Sequence, residues 1–425
     1  MQPERSLQGW LARLESLHPK AIDLGLERSR EVLQRLDFQL GCPVLLVAGT
    51  NGKGSTCAYL EAILQSAGYR TGLYTSPHLL RYNERVRIDG KDCNDEAIVA
   101  GLAAVEAVRG KTSLTYFEHG TLGAAWQFAR AKVEVAILEV GLGGRLDTVN
   151  LFEPDASIVT SVDLDHQDWL GADREAIGFE KAGIFRPGKP AVCADPQPPL
   201  SLRRQARNIR ARLQLIGQDF GYRLGTDNWQ FYWYGQSLSC LPLPAMAGEF
   251  QVRNAAAALA GLLNMQDSLP VTEAAMNRGL REARAAARFQ QIAAKPQIIL
   301  DVAHNPEAAR ALAGNLMARP VAGRTLAVFA LLADKDLPAV VSPLQPLIDA
   351  WYVCGLEGPR TRPAQELARD IGRLVGDKSV GRYASPAEGC AAALSVAREN
   401  DRILVFGSFH TVASVLVAHP TWQFR

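Results

Sequence analysis

The residues most able to do chemistry stand close together near the start of the chain, in Gly49-Thr50-Asn51-Gly52-Lys53-Gly54-Ser55 followed by Thr56. Glycines let consecutive backbone N–H groups converge on phosphate oxygens, and a lysine adds a point charge. The spacing departs from the common GxxxxGK[ST] pattern, since the first glycine lies closer and Gly54 separates Lys53 from the hydroxyl of Ser55 or Thr56. The loop predicts nucleotide phosphate binding, with a plain glycine turn ahead of a helix as the alternative.

Acidic residues end several apolar runs. Glu139 closes Val135-Ala136-Ile137-Leu138, which puts a carboxylate at the carboxyl end of a central strand, where open α/β sheets bind ligands. Facing a metal and standing solvated at a strand end are both open to it. Asp163, Asp165 and His166 follow Ser157-Ile158-Val159-Thr160. Magnesium prefers oxygen ligands, so His166 taken alone reads equally as a hydrogen-bonded loop residue. Asp301 ends Ile298-Ile299-Leu300 ahead of Ala303-His304-Asn305-Pro306, which by itself is a strand end and a helix cap. Gly141-Leu142-Gly143-Gly144 is a poor dinucleotide fingerprint, because Leu146 stands where the third glycine belongs.

These residues must be held by a framework, and the composition is that of a globular protein. Of 425 residues 48% are apolar and 21% charged, with 46 basic against 44 acidic side chains. A net charge of +2 gives no general field for nucleic acid or anionic lipid. Seven cysteines without a CxxC pair fit a reducing compartment, and Met1–Ser6 lacks the basic start and apolar core of a signal peptide; a cytoplasmic protein is expected.

Leucine spacing over 6–40 predicts helices, followed by a buried strand at Val44–Ala48, the glycine loop and a helix over Ser55–Ala67. Further strands are expected at Gly72–Tyr74, Val133–Val140 and Ala156–Val162, with helices near Asp95–Val108, His119–Ala131 and Arg253–Leu263. Residues 185–245, rich in proline and then in alternating aromatics, predict short antiparallel strands appended to the first domain. Ala285–Pro296 reads as a boundary before a second strand-helix series, from Gln297–Asp301 to the helix Phe409–Val417. The expected fold is α/β: a phosphate-loop, mainly parallel sheet flanked by helices over residues 1–290, then a smaller Rossmann-like α/β domain over 297–425.

Taken together, the glycine loop, Thr75-Ser76-Pro77-His78, Phe117-Glu118, Leu138–Arg145, Asp165-His166, Glu180-Lys181-Ala182-Gly183-Ile184, Asp301–Pro306 and Phe406–His410 resemble the folylpolyglutamate synthase/dihydrofolate synthase family, a branch of the Mur-type amide-bond ligases. The resemblance implies an ATP-dependent ligase that joins L-glutamate to dihydropteroate and extends reduced folates by further glutamates, through an acyl phosphate. It implies that Gly49–Thr56, Asn254, Arg288, Asp301 and His304 bind ATP, with the second domain completing the nucleotide site across a cleft. By the same resemblance Ser76, Glu139 and His166 are magnesium positions, for two ions, and Lys53, Glu139, His166 and a carbamylated Lys181 are catalytic. Thr115, Phe117, Asp147 and Arg81 are the implied substrate positions. Taken alone, Lys181 is an ordinary helix lysine and Phe117 serves equally well as a core aromatic.

Two departures from the family pattern stand out: Ala286-Ala287 precedes Arg288 in place of the usual Pro-Gly, and Thr148 occupies a position where alanine is common. The nearest rivals are a Mur-type ligase acting on a cell-wall precursor, a monofunctional folylpolyglutamate synthase, and a nucleotide-dependent switch without ligase activity. Thr115–Glu118 and the long Ser76–Ile88 loop favour folate. Small-molecule partners, no nucleic acid, no membrane and a monomer complete the expectation.

Overall fold

The computed structural model describes residues 6–20, 22–358 and 360–422; residues 1–5, on which the reading of the amino terminus partly rests, lie outside them. The described chain divides into two compact units, Met1–Ala245 with Gln251–Arg284, and Met246–Phe250 with Ala285–Arg425.

The first unit is built on an eight-stranded sheet. Its strands are β1 (Val44–Ala48), β2 (Thr71–Tyr74), β3 (Val86–Ile88), β4 (Lys91–Asp92), β5 (Val135–Glu139), β6 (Ala156–Val159), β7 (Pro190–Cys193) and β8 (Arg212–Leu215). They run in the order β4-β3-β2-β5-β1-β6-β7-β8. All pairs from β2 to β8 are parallel, and β3 and β4 add an antiparallel edge. Every residue of β1 and β5 is buried, as expected of central parallel strands covered on both faces. Helix Lys53–Ser66 follows β1 directly, in the βαβ manner.

The antiparallel expectation for 185–245 holds only in its second half. A three-stranded antiparallel sheet forms from β9 (Phe220–Leu224), β10 (Asn228–Trp233) and β11 (Gln236–Pro242). Residues 190–215 instead extend the main parallel sheet, through β7, helix Leu200–Asn208 and β8. Pro190 is tolerated because it is the first residue of its strand, and β7 is buried throughout although it is only four residues long.

The second unit carries a six-stranded sheet of β12 (Gln290–Ala294), β13 (Gln297–Leu300), β14 (Thr325–Phe329), β15 (Ala350–Cys354), β16 (Ser379–Tyr383) and β17 (Arg402–Phe406). The order is β12-β13-β17-β14-β15-β16, parallel except for the β12–β13 pair. Phe329, Trp351 and Phe406 form its aromatic centre, with Phe329 and Phe406 ring centroids 4.7 Å apart. Among the described residues no helix is long and apolar enough to cross a membrane.

Candidate active site

The glycine loop joins the end of β1 to helix Lys53–Ser66, and its shape admits no side chain at two points. Gly49 has φ +151°, and a Cβ there would lie 1.8 Å from Thr160 Oγ1; Gly52 has φ +87°, and a Cβ there would lie 2.4 Å from Asn254 Oδ1. The residues after β6 brace the loop. Thr50 N–H donates to Ser161 O at 2.9 Å, and Asn51 N–H donates to Ser161 Oγ at 3.1 Å. Thr160 Oγ1 donates to Asn51 O at 2.6 Å. Thr50 Oγ1 donates to Asp163 O at 3.1 Å and accepts from Asp163 N–H at 3.0 Å. The phosphate loop and the segment leading to Asp165 and His166 therefore share one end of the sheet. Lys53 Nζ donates to Gly49 O at 2.9 Å and Thr50 O at 3.2 Å, so its ammonium rests on the loop.

Glu139 is the last residue of β5 and 4% exposed, and its Oε2 accepts the Ser76 N–H at 3.1 Å. Glu139 and Lys53 both act on Cys57, one turn into the helix: burial above all, with Glu139 beside it, pushes that thiol well above its ordinary value, and Lys53 opposes. His166 precedes the short helix Gln167–Leu170 with φ +52°, a left-handed conformation costly for a side chain-bearing residue. Its N–H donates to Asp165 Oδ1 at 2.9 Å, and its Nε2 lies 4.0 Å from the same oxygen.

Lys181 is 3% exposed in the last turn of helix Arg174–Ala182. That turn is docked on the segment following β5: Arg145 N–H donates to Glu180 O at 2.8 Å, and the Arg145 guanidinium pairs with the Glu180 carboxylate at 2.8 Å. A buried lysine has to be paired or lose its charge.

Asp147 is buried, and its two oxygens accept N–H bonds from Leu142 at 2.9 Å and Val149 at 3.0 Å. Burial pushes its carboxyl up to about 6, while backbone N–H groups and Lys53 pull the other way. Phe117 is half-buried over Gly141, where a Cβ would lie 2.6 Å from its ring and 3.3 Å from Asp147 Oδ2. Its ring centroid lies 6.0 Å from that of Tyr74. An aromatic face and a carboxyl thus flank one stretch of backbone, an arrangement suited to a flat heterocycle with polar edges.

Thr115 is the cap of helix Tyr116–Ala131. Its hydroxyl accepts from Glu118 N–H at 3.2 Å, and Glu118 in turn accepts from Thr115 N–H at 2.7 Å and from Arg28 at 2.9 Å. Thr148 is buried with its Oγ1 3.4 Å from Ser29 Oγ. The Arg81 side chain is 69% exposed and pairs with Asp95 at 3.2 Å.

Asn254 lies buried in helix Glu249–Leu263, beside Gly52. Its Nδ2 donates to Gln251 Oε1 at 3.2 Å, and Gln251 Nε2 donates to Ser55 Oγ at 3.2 Å. Asn254 Oδ1 and Thr56 Oγ1 are buried without a hydrogen-bond partner among the described residues. Two unsatisfied polar atoms around a glycine cradle at a helix start fit a nucleotide phosphate and the ion it carries. No group of three or more His, Cys, Asp or Glu side chains among the described residues could by itself hold a metal.

Sequence reasoning missed Thr160, Ser161 and Gln251, which hold the loop and the start of its helix in place. The only mark they leave is a pair of hydroxyls at a strand end.

Arg288, Asp301 and His304 form a group of their own in the second unit. Asp301 accepts from Phe289 N–H and Ala303 N–H, each at 2.8 Å, and burial pushes its carboxyl up against the pull of Arg288. His304 Nδ1 lies 2.7 Å from Val302 O, and the Arg288 guanidinium lies 5.4 Å from the Phe409 ring centroid. Ala287 and Phe289, on either side of Arg288, both have positive φ, +54° and +48°. Ala287 therefore keeps a conformation that suits glycine, fixed by its N–H to Gln290 Oε1 at 2.9 Å and its carbonyl to Val302 N–H at 3.1 Å.

Comparison with known proteins gives two domain matches, the Mur ligase middle domain over residues 47–262 and the glutamate ligase domain of Mur ligases over 287–409. The chain is 46% identical over 416 residues to the dihydrofolate synthase/folylpolyglutamate synthase of Escherichia coli, covering 98% of this chain and 96% of that one. The structure of E. coli FolC in complex with DHPP and ADP superposes with a TM-score of 0.92 at 46% identity, covering 98% of both chains. A bifunctional folylpolyglutamate synthase/dihydrofolate synthase with Mn, AMPPNP and L-glutamate bound superposes with a TM-score of 0.90 at 44% identity, covering 98% of this chain and 99% of that one.

Proposed function

This chain belongs to the dihydrofolate synthase/folylpolyglutamate synthase family of Mur ligases, and from that premise we propose that it joins L-glutamate to 7,8-dihydropteroate and adds further γ-linked glutamates to reduced folates, at the cost of ATP. The observation that carries the reading is the meeting, at one end of the first sheet, of the glycine loop with the Glu139–Ser76 pair and the Asp147–Phe117 pair. It acts as a cytoplasmic monomer.

A carboxylate is a poor electrophile and must first be activated. Its oxygen attacks the γ-phosphorus of ATP, and ADP leaves; the amine of glutamate then attacks the acyl carbon, loses a proton and expels inorganic phosphate. Both partners in the first step are anionic, so the work of the protein is charge neutralisation and alignment. The loop N–H groups and Lys53, which rests on loop carbonyls 2.9 and 3.2 Å away, hold the phosphates. Asn254, beside Gly52, contributes to binding the nucleotide. Ser76, Glu139 and His166 would hold magnesium, as two ions, which would supply Lewis-acid neutralisation of the phosphate charge. Carbamylation of Lys181 turns a buried ammonium into an anion able to orient that metal. Phe117 stacks on the pterin, Asp147 meets its polar edge, and Thr115 and Arg81 border the substrate.

The test is incubation of the purified protein with ATP, magnesium, bicarbonate, L-glutamate and either dihydropteroate or a tetrahydrofolate. Glutamate-dependent ADP release with both acceptors is expected. Release with the tetrahydrofolate alone identifies a monofunctional folylpolyglutamate synthase, and release with neither refutes the reading.

A further inference from the structure

The helix Lys53–Ser66 that follows the glycine loop has a second polar face. Beside its C-terminal half lies a cavity of about 620 Å³ whose lining includes Glu61, Gln65, Arg87, Arg278, Glu282 and Arg284, all in the first unit. Close helix packing shapes its wall, since Gly279 approaches so near that a Cβ there would lie 2.5 Å from Ile63 Cα. Three guanidiniums thus share the cavity with two carboxyls.

The protein leaves this group incompletely satisfied. Glu61 is 3% exposed; its Oε2 pairs with Arg87 Nη1 at 2.9 Å, and its Oε1 is buried without a hydrogen-bond partner. Arg87 Nη2 donates to Gly90 O at 2.7 Å, and its Nε is buried without a hydrogen bond, 3.5 Å from Asp92 Oδ1. Arg278 uses Nη2 to donate to Ser66 O at 2.7 Å, covering a carbonyl of the helix's last turn that would otherwise repel an anion. Arg284 uses Nη1 on the carbonyls of Arg281 at 2.7 Å and Ala283 at 3.0 Å. Each guanidinium carries five N–H donors, and these bonds use only a minority of them. The buried Arg87 Nε–H and the remaining donors of the exposed Arg278 and Arg284 suit a ligand that accepts several hydrogen bonds at once.

We propose that this cavity is a second anion site, distinct from the nucleotide site, that takes a small oxyanion bearing two negative charges on Arg87, Arg278 and Arg284 with the Glu61 carboxyl beside them. Burial pushes that carboxyl up to about 7; Arg87 opposes the shift, and Asp92 and Asp89 reinforce it. Glu282 adds a further negative charge, and Arg278 and Arg284 add positive ones. Protonated, Glu61 ceases to repel the anion and offers it an O–H donor, so binding takes up a proton and tightens as pH falls.

Sulfate is the probe, because it remains a dianion between pH 6 and 8. Calorimetric titration of the full chain, with ADP and magnesium saturating the nucleotide site, should show one sulfate whose affinity rises about tenfold from pH 8 to pH 6, as one proton is taken up near pH 7. In Glu61→Gln that pH dependence should vanish while binding persists. In Arg284→Ala affinity should fall at least about tenfold, the loss of one charge-assisted partner, with Arg278→Ala as a second variant should the first fold poorly. Displacement of sulfate by inorganic phosphate or by succinate identifies a phosphate or a dicarboxylate as the natural class. No sulfate bound beside saturating ADP, a pH dependence that survives Glu61→Gln, or displacement by neither competitor overturns the proposal.

Discussion

The backbone of Gly52 and the side chain of Asn254 are fitted to each other: a Cβ at residue 52 would lie 2.4 Å from Asn254 Oδ1, with φ at +87°. One contact thereby joins the phosphate loop to a helix some two hundred residues away in the chain. Gly52→Ala has to displace Asn254 and hold alanine in a left-handed conformation costing about 1–2 kcal/mol. ADP affinity measured by calorimetry should drop at least about tenfold, and adding Asn254→Ala should recover part of the loss. An unchanged affinity in Gly52→Ala would show that the cradle is not the nucleotide site.

Lys53→Ala and Glu139→Gln each remove one charge from the proposed phosphoryl-transfer site. The expected loss in kcat is about 10²–10³-fold or more for each. Stability should stay near that of the parent, because Lys53 bonds carbonyls of its own loop and the glutamine still offers an oxygen to the Ser76 N–H. Steady-state ADP release and thermal melting separate the two effects.

For Lys181 the expectation is chemical rescue. Lys181→Ala should lose turnover and regain a measurable part of it in millimolar acetate or another short carboxylate, which would replace the anion of the proposed carbamate. Failure of every carboxylate tried would remove the carbamate from the mechanism.

Asp147 predicts a pH dependence of stability whose sign is unusual for a carboxylate. Its folded value of about 6 lies above the unfolded 3.9, so the folded state holds the extra proton between these limits. Its contribution is fully present below about pH 4 and is lost as pH rises to 6, by about 3 kcal/mol. In Asp147→Asn, urea unfolding at pH 4 and at pH 6.5 should lose that difference, although the amide fits the two N–H donors of Leu142 and Val149 less well at either pH.

Thr115 separates a structural role from a binding role. Thr115→Ala removes a capping hydroxyl and should cost about 1 kcal/mol, which Thr115→Ser should restore. A rise in the KM for dihydropteroate in the alanine variant, reversed in the serine variant, would mark the hydroxyl as a substrate contact as well.

Much of this architecture is written locally. The phosphate loop is readable because glycine at 49 and 52 answers a backbone requirement that no other residue meets, and β1 and β5 are readable because buried parallel strands are apolar along their whole length. Thr115-x-x-Glu118 announces its own helix start. Strands β7 and β8 escaped notice because four-residue strands opened by proline or edged with arginine carry too little periodicity to tell a sheet extension from a loop.

The sequence by itself therefore determined the α/β class, the phosphate loop and the acids at the strand ends, since each depends on conformational and solvation preferences acting within a few neighbouring residues. Only the tertiary structure decided that Thr160 and Ser161 brace the loop, that Asn254 faces Gly52, that Phe117 and Asp147 share the Gly141 backbone, and that Glu61 sits among arginines drawn from three segments. Those pairings join residues tens to hundreds of positions apart, and chain closure over such distances leaves no local pattern in either partner.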